Sequence, residues 1–278
     1  MSNQEQRSSA DAPNLVPSRI DTSVPHPARR YDYWLGGKDN FAADRESGDA
    51  IAAKFPAIRI AVVENRRFLR RTVTFLAREA GIRQFLDIGT GLPTANNTHE
   101  VAQAIAPESR IAYVDNDPLV LVHARALLTS SPGGVTTYVE ADLREPGKIL
   151  DSTDLRRTLD FSQPVALMLL AILHFIPEDD DPYDIVARLT GALPAGSYLV
   201  ASHATSDFLP PELVADIAAG RHGEGRLRTK AEFTRFFDGL ALVPPGIVPV
   251  AEWRADDEPQ PRPTSAETGM YAGVARIA

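Results

Sequence analysis

Residues 85–95 read FLDIGTGLPTA, and this stretch decides the fold. An apolar strand ends at Ile88, and Gly89 and Gly91 then let the backbone turn tightly and approach a ligand with no Cβ in the way. Thr94 is a suitable N-cap, so we expect a helix to begin near it and to direct its free N–H groups into the same crevice. The pattern predicts a site for an anionic or carboxylate-bearing ligand. Thr94 also replaces the third glycine of the dinucleotide fingerprint G-x-G-x-x-G, which weakens the case for NAD.

The chain around this turn alternates short apolar runs with amphipathic stretches, a pattern typical of parallel strands joined by helical crossovers. Strands are predicted at residues 84–88, 110–114, 136–140, 165–170 and 197–202, and helices at residues 95–106, 118–128, 146–150 and 181–193. Apolar residues at helical spacing also predict helical structure within residues 45–80 and 211–239. Two further strands are predicted at 240–250 and 270–277.

These elements predict one doubly wound α/β domain over residues 25–278, preceded by a flexible, polar tail over residues 1–24. Within the domain we expect three sections: an amino-terminal lid with helices, a cofactor-binding core, and a helical insertion with the terminal strands. Their predicted bounds are residues 25–80, 84–203 and 204–278.

The bulk composition limits the class of protein. The net charge of −8 leaves no broad basic surface to neutralise a phosphate backbone, which disfavours a nucleic-acid substrate. The chain has no cysteine, so disulfides, thiolate metal sites and cysteine nucleophiles are excluded. No run of about 18 apolar residues predicts a membrane span, and the first residues lack the apolar segment of a secretory signal. We therefore expect a cytoplasmic protein without membrane association.

Two acidic side chains follow predicted strands. Asp115 ends the strand in RIAYVDNDP, where a carboxylate can accept both hydroxyls of an adenosine ribose. Asp142 follows the next strand in YVEADLREP, where it can accept a hydrogen bond from an adenine amino group. Each alone is also explained as a turn or capping residue, but together with the glycine turn they indicate a nucleoside site.

Four motifs carry a resemblance to a known family: FLDIGTGLPT, YVDNDP, EADLREP and RRYDYWLGGKDNF. From about residue 25 to the C-terminus the chain resembles the S-adenosyl methyltransferase family, formerly a domain of unknown function. The resemblance implies a Rossmann-like class I methyltransferase fold, with a mostly parallel seven-stranded sheet, helices on both faces and one antiparallel strand. It also implies S-adenosyl-L-methionine as the cofactor, but it does not supply the methyl acceptor.

The resemblance further implies roles for individual residues. Gly89 and Gly91 would face the methionine part of the cofactor, Asp115 the ribose, Asn116 the adenine face and Asp142 the adenine edge. The complete set of expected cofactor-binding residues is Gly89, Thr90, Gly91, Asp115, Asn116, Asp142, Leu143, Ala171, Arg30, Tyr31, Trp34 and Lys38.

The amino-terminal motif packs cationic, aromatic and glycine residues into residues 25–40. We expect this segment to form a lid over the cofactor, to which Arg30, Tyr31, Trp34 and Lys38 contribute stacking and hydrogen-bonding groups. The alternative is an arm anchored by its aromatic residues, with both cations solvated.

Candidates for catalysis and substrate binding are less specific. His174 follows the fourth strand, in a region where many methyltransferases place an acidic or amide residue, and it is a candidate general base or a structural histidine. Asn40, Asn65, Asn97 and His203 are candidates for the substrate side, although an exposed helix face explains Asn65 and helix capping explains Asn97. The acidic run at residues 178–181 is read as a solvated helix start, and no metal site is expected. The aromatic residues Phe208, Phe233, Phe236 and Phe237 either enclose the substrate or belong to the core.

These expectations leave three functions open. The first is methyl transfer to a small-molecule acceptor by direct displacement, which depends mainly on positioning and water exclusion. The second is a protein that binds S-adenosylmethionine without catalysis, supported by the absent acidic residue near Ala171. The third is a nicotinamide-dependent oxidoreductase, against which the missing third glycine argues.

Overall fold

The computed structural model describes residues 20–127, 130–223 and 225–278. The described part of the chain begins with three helices: α1 (Pro27–Trp34), α2 (Ala42–Lys54) and α3 (Ile58–Arg78). The core then alternates β1 (Gln84–Ile88), α4 (Thr98–Ile105), β2 (Arg110–Asp115), α5 (Pro118–Leu127), β3 (Val135–Glu140), α6 (Pro146–Leu150), α7 (Thr153–Thr158), β4 (Ala166–Leu170), α8 (Pro182–Gly191) and β5 (Tyr198–Ala204). The last section contains α9 (Pro211–Ala218), α10 (Lys230–Thr234), β6 (Ala241–Leu242), β7 (Val248–Pro249), α11 (Ser265–Thr268) and β8 (Met270–Arg276).

The described strands form one sheet in the order β3-β2-β1-β4-β5-β8-β6, with β7 also paired to β8. Strands β1 to β5 are parallel, whereas β8 runs antiparallel beside β5. The order reverses between β1 and β4, so their carboxyl ends frame the crevice at which open α/β sheets bind ligands. The predicted Rossmann-like class I methyltransferase fold is confirmed.

The central strands β1, β2, β4 and β5 are buried on both faces of the sheet. Along β1, Phe85 packs into one core cluster and Leu86 into the other, as alternation across a strand requires. Helix α3 covers one face through Phe68 and Val73, while α8 covers the opposite face through Ile185. The centre of the sheet is thus closed to water on both sides, and polar side chains collect at its carboxyl edge.

The start of one predicted helix and one predicted strand differ from the structure. The helix after the glycine turn begins at Thr98 rather than near residue 94, because Asn97 is its N-cap and Glu100 completes a capping box. The predicted strand at 240–250 is two short strands, because Pro244 and Pro245 lack backbone N–H groups and interrupt the pairing. Among the described residues the sheet therefore has eight strands rather than the seven that the resemblance implied.

The predicted tail falls mostly on residues 1–19, which lie outside the described residues. Ile20 is buried beside Leu92, Leu119 and Val120, and the backbone oxygen of Asp21 accepts a hydrogen bond from Arg29. The packed chain therefore starts before residue 25. No helix among the described residues combines the length and the apolar character needed to cross a membrane.

Candidate cofactor and acceptor site

The glycine turn lies where the sequence predicts it, directly after β1. Gly89 and Gly91 have φ angles of +74° and +68°, which side chains with a Cβ rarely adopt. A Cβ on Gly89 would also lie 2.7 Å from the side chain of Ile172. The Gly91 N–H donates to Asp115 Oδ2 at 2.8 Å, so the turn is tied to the end of β2.

The acidic residues after β2 and β3 meet at the same edge. Asp115 is buried, and its second oxygen accepts the N–H of Asp117 at 3.0 Å. Burial raises the pKa of Asp115, while the two backbone hydrogen bonds act in the opposite direction. Asp142 Oδ2 accepts a hydrogen bond from Asn116 Nδ2 at 2.9 Å. Asp115, Asn116 and Asp142 all line one cavity of about 660 Å³, together with the glycine turn.

Asp87, on β1, also lines this cavity. Its carboxylate accepts a hydrogen bond from Thr98 Oγ1 at 2.6 Å. Burial raises the pKa of Asp87 from 3.8 to about 6, although the Thr98 hydrogen bond and the charge of Arg66 lower it. The folded chain therefore holds a carboxyl group that resists ionisation beside the glycine turn.

We expect Asp87→Asn to stabilise the protein in a pH-dependent way. Because the folded state binds this proton more tightly than the unfolded state, ionised Asp87 costs stability, and the cost develops between about pH 4 and pH 6. The gain of the variant in free energy of unfolding should grow by about 2 kcal/mol from pH 4 to pH 8. Urea unfolding at pH 4, 6 and 8 measures this, and a pH-independent difference would contradict the assignment.

Ala171 follows β4 and has a φ of +52°, a strained conformation for a residue with a Cβ. Its N–H donates to Ser202, whose hydroxyl donates to Asn65 Oδ1 at 2.6 Å. Asn65 Nδ2 donates to the Tyr31 hydroxyl at 3.0 Å, and Tyr31 donates to the backbone oxygen of Val62. This buried chain of hydrogen bonds joins the end of β4 to α1.

Asn65→Leu is expected to lower the free energy of unfolding by about 2 kcal/mol, because it leaves two buried hydroxyls each short of a partner. Tyr31→Phe keeps the Asn65–Ser202 bond and should cost only about 1 kcal/mol. Denaturant unfolding of both variants measures the difference. Equal losses would show that the link from Asn65 to the sheet contributes nothing.

Helix α1 covers the cavity, which Arg30, Tyr31 and Trp34 line. Arg29 anchors α1 through two hydrogen bonds that it donates to the Asp117 carboxylate, at 2.8 and 2.9 Å. Trp34 Nε1 donates to the backbone oxygen of Gly48 at 3.2 Å, which ties the helix to α2. The segment is thus both anchored and in contact with the cavity.

The part of the cavity that is lined by Ile51, Phe55, Leu213 and Ile217 is apolar. Its wall is formed by side chains from α2, α9 and the start of β8, among them Ile51, Phe55, Leu213, Ile217 and Met270. A network of ion pairs joins the two helices above it, in which Lys54 of α2 contacts Asp216 of α9. Amino-terminal and carboxy-terminal sections of the chain therefore enclose this compartment together.

His174 follows β4 and also lines the cavity. Its Nδ1 accepts a long hydrogen bond from the N–H of Ala204 at 3.4 Å, which leaves the ring proton on Nε2. Burial, together with the charges of Arg228 and Arg30, lowers the pKa of His174 to about 3. The imidazole stays neutral and is a weak proton acceptor, but it can donate a hydrogen bond.

His203 lies behind His174, with ring centroids 5.5 Å apart, and does not line the cavity. Its Nδ1 donates to the backbone oxygen of Ala204 at 2.6 Å, and its Nε2 accepts from Arg228 at 3.0 Å. Both nitrogens are occupied, and burial lowers the pKa of this ring well below its ordinary value. This environment is that of a structural histidine.

Most of the predicted site residues come together. Those that line the cavity are Gly89, Thr90, Gly91, Asp115, Asn116, Asp142, Leu143, Ala171, Arg30, Tyr31, Trp34, Asn65 and His174. Lys38 is exposed and outside it, and Asn40 is bonded to Asp32. Asn97 caps α4 and accepts from Arg66, so the amino terminus of this helix does not face the cavity as we expected.

The sequence prediction missed other lining residues. Asp87 stands inside the glycine motif, and Arg66 follows Asn65 in VVENRRFLRR, so both lay within motifs already singled out. His222 comes from the polar stretch after α9 and had no distinguishing signal. The aromatic residues Phe233, Phe236 and Phe237 belong to the core, and Phe208 packs against Tyr271.

The acidic run before α8 serves contacts within the protein. Glu178 pairs with Arg228, Asp180 with Arg144, and Asp181 caps α8 by accepting from the N–H of Asp184. No group of three or more potential metal ligands is found in the part of the chain that the structure describes.

Two solved structures are similar to this chain over almost its whole length. A DUF574 family protein from Streptomyces avermitilis MA-4680 is 49% identical, with 94% of this chain and 100% of that chain covered and a TM-score of 0.88. A putative methyltransferase from Thermobifida fusca YX is 43% identical, with 95% and 99% covered and a TM-score of 0.86.

More distant similarity is confined to the fold. The magnesium protoporphyrin IX methyltransferase of Synechocystis PCC 6803, solved with bound S-adenosylhomocysteine, is 12% identical, with 90% of this chain and 93% of that chain covered and a TM-score of 0.52. No curated protein matches the sequence of this chain. The S-adenosyl methyltransferase family matches residues 13–278, so this chain belongs to that family, whose cofactor is S-adenosylmethionine.

Proposed function

We propose that this protein transfers the methyl group of S-adenosylmethionine to a small-molecule acceptor with an apolar body. One observation carries the proposal: a single cavity extends from Asp115 and the glycine turn to an apolar compartment beneath α2 and α9. A binding protein without catalysis needs only the first part of this cavity.

The residues present fit the cofactor. Gly91 bears no Cβ, its position faces open space, and Asp115 beside it keeps acceptor capacity on both carboxylate oxygens. Asp115 would hold the ribose, Asn116 and Asp142 the adenine, and the turn at Gly89 the methionine part. When bound, the cofactor supplies an electrophilic methyl group on a sulfonium centre.

The chain's own contribution is enclosure and orientation. Helix α1 acts as a lid, since it lines the cavity and is linked through Tyr31 and Asn65 to the strained backbone at Ala171. His174 orients the acceptor by donating from Nε2, because its low pKa makes it a poor base. Positioning and exclusion of water can provide much of the acceleration of a displacement reaction.

We also propose that residues 25–278 act as one domain. Residues from the lid section, the core and the carboxy-terminal section all line the same cavity, as Tyr31, Asp115 and Leu213 illustrate. None of the three sections could form the site alone.

Calorimetry and turnover test this proposal. The protein should bind S-adenosylmethionine and S-adenosylhomocysteine and should bind NAD more weakly or not at all. It should then release S-adenosylhomocysteine when incubated with S-adenosylmethionine and mixtures of small apolar alcohols, amines and acids. Tight binding of NAD alone would refute the assignment.

One observation favours the second candidate, a non-catalytic binding protein: residues 171–173 after β4 carry no acid or amide, and His174 is a weak base. Binding without turnover on any of the mixtures would support it. Binding with turnover would exclude it.

A further inference from the structure

Among the side chains that the structure describes, three arginines are buried: Arg29, Arg30 and Arg228. Arg29 is paired with the Asp117 carboxylate through two hydrogen bonds. All five N–H groups of Arg228 have a partner, namely Glu178, His203 and the backbone oxygens of residues 173 and 176. These partners account for the burial of both side chains, so Arg29 and Arg228 act as structural cations.

Arg30 differs from both. It is only 5% exposed, yet its recorded partners are two neutral oxygens, Ser47 Oγ at 3.0 Å and the backbone oxygen of His222 at 2.8 Å, and both bonds come from Nη1. Neither Nε nor Nη2 donates to any residue that the structure describes. Burial lowers the pKa of Arg30, which only the more distant Asp44 opposes, and the carboxylate of Asp44 already accepts the N–H groups of His26 and Phe41.

A buried cation without a carboxylate partner is costly and requires an explanation. Arg30 lines the cavity, so its free N–H groups are available to whatever enters it. A guanidinium presents a planar fork that matches a carboxylate with two parallel hydrogen bonds. The side chain is therefore suited to an anionic oxygen group of a ligand.

The surroundings of Arg30 place it at the acceptor end. Its Nη1 donates to the backbone oxygen of His222, just after α9, and its charge lowers the pKa values of His174 and His222, which both line the cavity. At the glycine end, Arg66 Nη2 donates to the backbone oxygens of residues 95 and 96, which follow the glycine turn, and its charge lowers the pKa of Asp87. The two cations thus serve different ends of the cavity.

We propose that Arg30 binds a carboxylate on the methyl acceptor, so that the substrate class is a small apolar carboxylic acid. The inference rests on the proposed function and narrows it. The other source of a carboxylate is the methionine part of the cofactor, and Arg66 is the better placed cation for that group. The acid tail would lie under α1, with the apolar body against the side chains of α2 and α9.

Matched acids and amides test the proposal. Calorimetry on protein saturated with S-adenosylhomocysteine compares 3-phenylpropanoate with 3-phenylpropanamide and octanoate with octanamide. The wild type should prefer the acid in at least one pair by on the order of tenfold or more. Arg30→Gln should abolish this preference, while Arg30→Lys should retain part of it because a point charge remains.

Two controls separate binding from folding. Arg59→Gln removes an exposed cation from α3 and should leave the acid preference unchanged. Arg30→Gln should unfold at a temperature close to that of the wild type, because it removes an unpaired charge. Arg29→Gln should unfold at a lower temperature, because it leaves the buried carboxylate of Asp117 without its arginine partner.

The outcomes that overturn the proposal are distinct from those that overturn the function. Equal affinity of the wild type for acid and amide in both pairs refutes it, and so does a preference that survives in Arg30→Gln. A tenfold loss of S-adenosylhomocysteine affinity in Arg30→Gln, with the acid preference intact, would assign Arg30 to the cofactor instead. A wild type that does not bind S-adenosylhomocysteine contradicts the proposed function, and the acid–amide comparison on unliganded protein still decides the role of Arg30.

Discussion

Replacing Asp115 by Asn is expected to lower the affinity for S-adenosylhomocysteine by about 100-fold, because hydrogen bonds to a charged acceptor contribute about 1.5–3 kcal/mol each. Both oxygens of Asp115 accept backbone N–H groups, one from Gly91 and one from Asp117. An amide offers only one acceptor, so its NH₂ group would face one of those N–H donors. The substitution therefore damages the turn as well as the contact with the ribose. Calorimetry with S-adenosylhomocysteine measures the loss.

Asp142→Asn is the matched control for this prediction. Asp142 is more exposed than Asp115 and lies at the edge that would meet the adenine. It accepts hydrogen bonds from the side chains of Asn116 and Arg144 and from the backbone N–H of Arg144. We expect a loss of about tenfold or less, since solvent screens the contact. If Asp115→Asn binds S-adenosylhomocysteine within threefold of the wild type, the nucleoside lies elsewhere.

The glycine turn and the strand ends were predictable because their signals are local. A buried strand followed by Gly89 and Gly91 needs no distant partner to be recognised, and Asp115 and Asp142 each follow a strand with clear periodicity. Parallel strands then bring these residues to one edge without further information. This is why most of the expected cofactor residues line the cavity.

What the sequence could not predict depends on contacts between distant segments. Arg29 and Arg30 are adjacent and chemically identical, yet one meets Asp117 and the other meets no carboxylate among the described residues. Only the packing of α1 against two separate parts of the chain distinguishes them. The same holds for His174 and His203, since a low pKa follows from burial that a sequence pattern does not show.

Competition between local signals explains the shifted start of α4. Thr94 and Asn97 are both good caps, and Asn97 is followed three residues later by Glu100, which completes the capping box. The box was visible in the sequence and outweighs the single hydroxyl. The capping box thus supplies hydrogen-bond partners to the amino terminus of α4 from within the helix. Binding of the cofactor therefore depends on the glycine turn and the carboxylates.

The second large effect is expected for Arg228→Met, which should lower the free energy of unfolding by about 3 kcal/mol or more. Arg228 is fully buried, and its guanidinium lies 5.3 Å from the Phe236 ring centre. Removing it leaves His203 Nε2 and the backbone oxygen of Ile176 without their Arg228 donor, while the backbone oxygen of Leu173 keeps only the N–H of Ile176. These oxygens flank His174, so the loop after β4 should also lose its fixed position.

Arg226→Met provides the control, because Arg226 lies two residues away and pairs with Glu178 and Glu232 at the surface. Its loss should cost less than about 1 kcal/mol, as exposed ion pairs contribute little. Urea unfolding of both variants gives the comparison, and calorimetry with S-adenosylhomocysteine gives the functional one. Cofactor affinity should fall far less than in Asp115→Asn, since Arg228 supports the acceptor side and not the turn. Similar losses of stability in the two arginine variants would mean that the buried hydrogen bonds of Arg228 contribute nothing beyond a surface ion pair.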